Sequence, residues 1–445
     1  MVRHRRVVMF GAMVVLSIAV LGGLAITADD PIETDGEHDP YPGDTLITVQ
    51  AYGWFGNFNG DAFIVTPEGE RIWEYQPPNA AVFDAEMLDN GNVMVSYGQY
   101  VPNEECPAEW QDVGDDDHCI KNVVEEVDIE TKEQVWAYTW YDRFTSFHEV
   151  HDADRLENGD TAIIDMGQDR TFTVNQDGEI TWEWSAIEHL DEGTPFWDEY
   201  VEGTALENHA YTGPNQDWTH MNDVDRLQNG NFLMSIRNFD VLIEVDPDTD
   251  DIVDVIGEPG SHDVMNEQHN PHYLSLHDTV IVADSENDRI VEYDVETRKE
   301  IWRYEGPREN DRLAWARDAD RLPNGNTIIA DSRNFRVLEI DPDGEVIWGH
   351  DLTDERGIVY DVDRLGPDRS LGEEPQNVPP GDDLEGRYHT NGIFGLVYVL
   401  ESWIAFVLPP WVGVWGVLAM LLGIAGSAGL AWEGVRAWRA GDREL

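Results

Sequence analysis

One phrase returns along this chain and limits what it can fold into. It reads DAEMLDNGN at 84–92, DADRLENGD at 152–160, DVDRLQNGN at 223–231, DADRLPNGN at 318–326 and DVDRLGPD at 361–368, with a degenerate copy, NPHYLSLHD, at 270–278. Each of the first four leads into a short β-prone run (VMVSY, TAIID, FLMSI, TIIAD), and TVIVAD follows the degenerate copy. Gly at the centre of the phrase, preceded mostly by Asn, between two apolar runs signals a hairpin whose two turn residues both accept positive φ. A second phrase follows in each unit: an apolar strand, an acidic turn, then a strand that often holds Trp, as in VLEIDPDGEVIW at 337–348. These turns begin at Asp128, Asn175, Asp246, Asp294 and Asp341, at intervals of 47, 71, 48 and 47 residues. Four strands at that period, without 3.6-residue periodicity inside the unit, are the mark of propeller blades rather than a helical solenoid.

The ends of the repeat region complete each other. Residues 46–75 supply strands of a unit but no DxDRL phrase, and residues 359–365 supply the phrase and little else. Pairing them makes a sixth blade and removes the sheet edges. The expected fold is therefore all-β, a six-bladed propeller closed by its N- and C-terminal strands and flanked by transmembrane helices. The longer interval reflects an insertion, about 186–218, holding Trp197, Tyr200, Tyr211 and Trp218. It is either an ordered lid able to stack on an aromatic ligand or a loop packed on the blade surface.

The chain carries 90 Asp and Glu against 28 Lys and Arg, a net charge of -62, with the acids spread among aromatics that make up 10% of residues. That combination describes a folded domain with an acidic skin that needs salt screening, and it points to a high-salt organism. It excludes nucleic acid as a partner, since phosphates would be repelled. Cys106 and Cys119 sit in a polar loop and are expected to form a disulfide. The apolar runs 7–27 and 411–431 are long enough to span a bilayer, and Arg residues flank the outer end of each. The expected division is a basic N-terminus (1–6), an anchor (7–27), a linker (28–44), the propeller (45–366), an acidic linker (367–390), an interfacial or re-entrant segment (391–410), a transmembrane helix (411–431) and a basic tail (432–445). Both termini are then cytoplasmic and the propeller extracellular. For residues 7–27, a cleaved signal peptide is the competing reading.

The innermost strand of a propeller blade starts at one mouth of the central channel. The residues just before the DxDRL phrases sample that mouth: Phe83, His151, Asn222, His269, Arg317 and Tyr360. The Asp that follows recurs at 84, 152, 223, 318 and 361, with Asn270 in the sixth copy, and reads as a structural bracket between strands. The preceding residue varies but stays mostly polar or titratable, which suits a binding site. His148, His220 and His272 lie nearby, and Arg237 follows the second strand of its blade. A His and Arg pocket in so acidic a chain is where an anion would settle. Such a pocket can bind a metal, act by general base catalysis, or provide a nucleophilic His. No phosphate-cradling Gly-rich loop is present and no cofactor is expected.

The stretch THMNDVDRLQNGNFLMSIRNFDVLIEVD at 219–246, followed by QHNPHYL at 268–274, resembles the arylsulfotransferase propellers, and the resemblance extends over roughly 45–366. It implies nucleotide-independent transfer of a sulfuryl group from an aryl sulfate donor to a phenolic or other hydroxyl acceptor through a sulfated histidine. Carried across, it makes His269 the nucleophile, His220 and Arg237 the groups holding sulfate oxygens, and His148 or His151 a further pocket imidazole. Asn222, Asn270, Arg317, Tyr360 and Phe83 would then contact substrate. Competing readings are a non-catalytic ligand- or protein-binding propeller and a metal- or quinone-dependent propeller enzyme.

Overall fold

A computed structural model describes residues 2–26, 32–52, 59–111, 118–142, 147–308, 311–366, 381, 384–388, 400, 403–404, 407–408 and 412–441. The expected acidic linker at 367–390 and interfacial segment at 391–410 fall mostly outside them. The chain forms two compact units, residues 33–389 and the two termini.

In the larger unit the described residues build six four-stranded antiparallel sheets, a six-bladed propeller. Counting blades by the order of the DxDRL phrases, five are contiguous in sequence. The sixth is composite: Gly357–Arg364 is its innermost strand and pairs with Thr45–Tyr52, which leads on to Asp61–Val65 and Arg71–Tyr75. The ring therefore closes by joining its two ends.

Each letter of the repeated phrase has a structural use. The Asp joins neighbouring blades at the axis: Asp152 accepts the Val224 N–H at 2.7 Å, and Asp318 accepts the Val362 N–H at 2.9 Å. The Arg reaches back to the preceding blade. Arg155, Arg321 and Arg364 pair with Glu126, Glu292 and Glu339 and lie over the rings of Trp136, Trp302 and Trp348. Those outer-strand tryptophans also stitch forward, the Trp136 and Trp348 indoles donating to carbonyls of Gln176 and Pro67 in the next blade. Branched apolar side chains of adjoining sheets fill the space between, as where Val280, Val282 and Val291 meet Leu233, Leu242 and Ile256.

The hairpin turn differs from the expectation in one respect. Gly91, Gly159, Gly230 and Gly325 have φ of 83° to 90°, but the residue before each does not have positive φ. A tight turn closes from Leu to Gly, and the Leu N–H then bonds the carbonyl beyond it, as in Gly91 N–H to Leu88 O and Leu88 N–H to Asn92 O. The Asn side chain explains the choice: Asn90, Asn158, Asn229 and Asn324 accept the N–H two residues on, which holds them in the right-handed region.

The insertion after blade 2 is ordered. It contains the helix Ala186–Leu190 and a turn at Trp197–Val201. Phe196, Trp197 and Trp218 are buried with Phe232 and Phe239 of blade 3, so its aromatics pack on the blade. Cys106 and Cys119 are disulfide-bonded at the end of the long hairpin of blade 1, where Cys119 still pairs with Val101.

The second unit holds helices Val2–Ile26 and Gly413–Gly441, each containing a stretch long and apolar enough to cross a membrane. They pack through small residues. A Cβ at Gly426 or Gly429 would collide with Phe10, so glycine permits this close approach.

The Arg321–Glu292 pair is fully buried, and Glu292 also accepts from Thr279. Arg321→Ala would leave a carboxylate buried without its cation. It should cost about 3–5 kcal/mol in denaturant unfolding; a loss below about 1 kcal/mol would contradict the structural role given to the phrase's Arg.

Candidate anion site at the imidazole mouth

All six innermost strands are approached through a non-glycine residue with positive φ: Asn79, Phe147, His220, Glu267, Trp315 and Arg356. In each of blades 1 to 4 the innermost strand also carries an irregularity where it meets the second strand, between Val82 and Asp84, Val150 and Ala153, Met221 and Asp223, and His269 and His272. A bulge re-aims a side chain that strict alternation would turn away. It lets the residue before the Asp and the Asp itself share the channel, one at the mouth and one below.

The left-handed approach is fixed from the preceding blade. Asp169 accepts both the N–H and the hydroxyl of Thr219, beside His220. Asp240 accepts the Glu267 N–H two residues before His269, and Asp288 the Trp315 N–H two residues before Arg317. The same device thus sets three mouth residues.

The mouth brings together His151, His220, His269, Arg317, Tyr360 and Phe83. The rings of His151 and His220 are 5.5 Å apart, His151 and Tyr360 5.6 Å, and His269 and Tyr360 5.8 Å. Phe83 stacks on His151 at 4.3 Å, and the Arg317 guanidinium lies 4.6 Å from the Tyr360 ring centre. Arg237 pairs with Glu267 and Asn238. Arg317 donates to Gln50 at 2.6 Å. Three buried polar groups here lack a partner among the described residues: Arg237 Nε, Arg317 Nε and the Tyr360 hydroxyl. Buried donors without acceptors invite an anionic or oxygen-rich ligand.

The imidazoles are neutral, and their tautomers follow from their partners. His269 Nδ1 lies 2.8 Å from Ser285 Oγ, whose hydroxyl bonds the Ala316 carbonyl at 2.7 Å. Ser285 therefore accepts, Nδ1 carries the hydrogen, and Nε2 keeps its lone pair. His151 Nδ1 faces the Glu149 carbonyl at 3.2 Å and must also donate. His220 Nδ1 donates to Asp217 at 2.8 Å. Burial, the guanidiniums and the other imidazoles push His269 and His151 well below the ordinary value. Burial and Arg237 together outweigh Asp217 and bring His220 down to about 4. Burial and the neighbouring Arg237 and Arg333 lower Arg317 to about 10, which leaves it charged at neutral pH.

Other expected residues lie elsewhere. His148 turns away, with Nδ1 3.2 Å from Asp142 and beside Gly167. Asn222 is buried and donates to the Gln268 carbonyl, tying blade 3 to the residue before His269. Asn270 and His272 line the acidic part of the channel, where His272 pairs with Asp320 at 2.8 Å. Three neighbours were not singled out from sequence. Ser285 opens the turn of blade 4 at the position Arg237 holds in blade 3, which was a readable signal. Asp217 comes from the insertion. Phe147, about half exposed, lies 5.8 Å from the His220 ring. Among the described residues the mouth imidazoles form no group of three with ligating atoms within 4.8 Å of one another.

Residues 165–352 match the Arylsulfotransferase (ASST) family model. The arylsulfotransferase match includes His220, Arg237, His269, Ser285 and Arg317, and stops short of Phe83, His151 and Tyr360 on either side. No curated protein matches the chain. Solved structures similar to it include a Bacteroides caccae protein of unknown function (14% identity, 72% of this chain and 98% of that one, TM-score 0.49). They also include a nidogen/laminin complex (9%, 72% and 97%, 0.43) and virginiamycin B lyase from Staphylococcus aureus (10%, 71% and 85%, 0.38). These three likenesses contribute nothing to an assignment of chemistry.

A buried His held near 4 rather than at the ordinary 6.5 makes a signed contribution to stability. Between those values the unfolded chain binds a proton that the folded chain does not, so stability is lost as pH falls through the window. Wild type should lose about 3 kcal/mol more than His220→Asn between pH 6.5 and 4, since each unit is worth about 1.4 kcal/mol. Parallel denaturation profiles would contradict a neutral buried His220.

Proposed function

We propose that this chain transfers a sulfuryl group from an aryl sulfate to a phenolic or other hydroxyl acceptor through a sulfated His269, without a nucleotide donor. The observation that carries the reading is the mouth itself: buried neutral imidazoles beside two guanidiniums, with His220, Arg237, His269 and Arg317 inside the stretch that matches the arylsulfotransferases.

In the first step His269 Nε2 attacks sulfur, the N–S bond forms, and the S–O bond to the aryl group breaks, releasing a phenolate. Ser285 holds Nδ1–H and so keeps the attacking lone pair at Nε2. Arg317, Arg237 and the Tyr360 hydroxyl face the charge that spreads over the three sulfuryl oxygens. Exposed Phe147 gives an aromatic group a surface to stack on. In the second step the acceptor oxygen attacks sulfur and the N–S bond breaks. His220 donates a hydrogen bond from Nδ1–H to Asp217, so its neutral Nε2 can take the acceptor's proton. The imidazolium that results, paired with Asp217, can then hold a sulfate oxygen. His151 stacks on Phe83 and completes the pocket wall.

The two apolar helices are read as membrane anchors at 7–27 and 411–431, with the propeller outside the cell and both termini inside. The acidic surface is read as an adaptation to high salt.

His269→Ala should abolish transfer, because the nucleophile defines the reaction path. Arg317→Ala should cost about 10²–10³ in kcat. Arg237→Ala should cost less, because its charge is already shared with Glu267. Exposure to an aryl sulfate alone, in high salt, should release about one phenol per chain and leave acid-labile sulfate on one His. Equal sulfate retention by His269→Ala would move the nucleophile elsewhere. No transfer from any aryl sulfate would favour a ligand-binding propeller.

A further inference from the structure

Below the imidazole mouth the channel changes sign. Asp84, Asp152, Asp223, Asp318 and Asp361 form one ring of carboxylates. Two residues further along each strand, Glu86, Asp154, Asp225, Asp320 and Asp363 form a second. Both rings line one cavity of about 310 Å³. The two guanidiniums that also reach it, Arg321 and Arg364, are each committed to a buried glutamate of the preceding blade.

The bracketing role accounts for only part of this acidity. A carboxylate that accepts one N–H from the next blade still has a second oxygen. Asp223 is only 9% exposed, lines the cavity, and its Oδ1 has no partner among the described residues. Asp84 Oδ2 and Asn270 Oδ1 are likewise buried without a donor. Three buried acceptors in one cavity call for donors, and ten carboxylates there call for positive charge. Burial, with a smaller contribution from neighbouring carboxylates, pushes the rings' acids up, Asp152 to about 7 and Glu86 to about 8.

The spacing decides what kind of cation fits. Among the described residues no three channel carboxylates place an oxygen each within 4.8 Å of one another. A dehydrated ion bound by several carboxylates at about 2.3–2.6 Å would require such a set. A cation that keeps its water shell would not. Mg²⁺ gives up water reluctantly, and its bound waters would donate to the carboxylates that line the cavity. A cavity this size holds several waters at about 30 Å³ each.

We propose that the acidic section of the channel binds a hydrated divalent cation of the Mg²⁺ type on the propeller axis, held through its waters by the two carboxylate rings. The site is independent of the sulfotransferase reading. It also removes a conflict, since an anion at the mouth would otherwise sit directly above uncompensated carboxylates.

The test is calorimetric titration of the full chain with MgCl₂, at constant ionic strength in KCl and without any sulfate ester. Saturable binding is expected, with a rise in melting temperature. Asp84→Asn/Asp223→Asn keeps an acceptor oxygen at each position but removes two charges, and should weaken affinity at least tenfold. Crystals soaked in MnCl₂ provide a second measurement that needs no variant, with an anomalous peak expected on the axis between the rings. The proposal is overturned by any of four results: no saturable binding, an effect reproduced by K⁺ alone, unchanged affinity in the double variant, or a peak elsewhere. Because no substrate is present, failure here leaves the transfer chemistry unaffected.

Discussion

Hydrogen bonds from one innermost strand to the next hold the propeller together where its blades converge. An Asp carboxylate from one blade takes a backbone N–H of its neighbour, as Asp152 does from Val224 and Asp318 from Val362. Among the described residues each sheet ends at its innermost strand, and ladder pairing does not continue from one blade to the next. Side-chain acceptors bridge that gap, and a short carboxylate on the phrase's first residue is placed to do so. The consequence is a channel lined with acid. Carboxylates used as structural brackets cannot be removed to relieve repulsion, so the electrostatic problem must be answered by something other than sequence change.

The opposite character of the mouth comes from the same strands. An imidazole or guanidinium of the mouth is the immediate chain neighbour of a carboxylate of the first ring: His151 of Asp152, Arg317 of Asp318. In a regular strand these neighbours would point to opposite faces. Left-handed residues at each approach, joined in blades 1 to 4 by irregular pairing with the second strand, turn both inward, and the preceding blade fixes three of the approaches by accepting an N–H group. A non-glycine residue at positive φ costs about 1–2 kcal/mol. That cost recurs at six places, and at His220 the strained residue is itself part of the mouth.

Much of this was legible from sequence because it repeats. The blade count, the composite sixth blade and the bracketing Asp all rest on register, and register survives in the spacing of DxDRL. The positions of Phe83, His151, His269, Arg317 and Tyr360 follow from the same register. What spacing does not encode is direction where a strand departs from alternation. His148 and His151 both precede Asp152, and only the folded backbone turns one toward Asp142 and the other toward His220. Asn270 and His272 were grouped with the mouth, yet they hold the two ring positions of the phrase and line the acidic section with the other blades' carboxylates. Asp217 was hidden because it belongs to an insertion with no counterpart in other blades. The insertion's aromatics suited a lid equally well until their burial against Phe232 and Phe239 was seen.

The two guanidiniums at the mouth are not equivalent, and the difference follows from their partners. Arg237 is paired with Glu267, whose side chain is 38% exposed, so its charge is largely cancelled unless that carboxylate swings into water. Arg317 has a neutral partner in Gln50 and aromatic faces at Trp315 and Tyr360, and no described carboxylate forms an ion pair with it. A cation packed on ring faces keeps its charge in a low-dielectric site without an anionic partner. Arg317 is therefore the standing positive charge of the pocket, and Arg237 a conditional one that an incoming anion can recruit by displacing Glu267. Burial is the main cause of the three imidazoles' neutrality, and Arg317 adds to it at each of them.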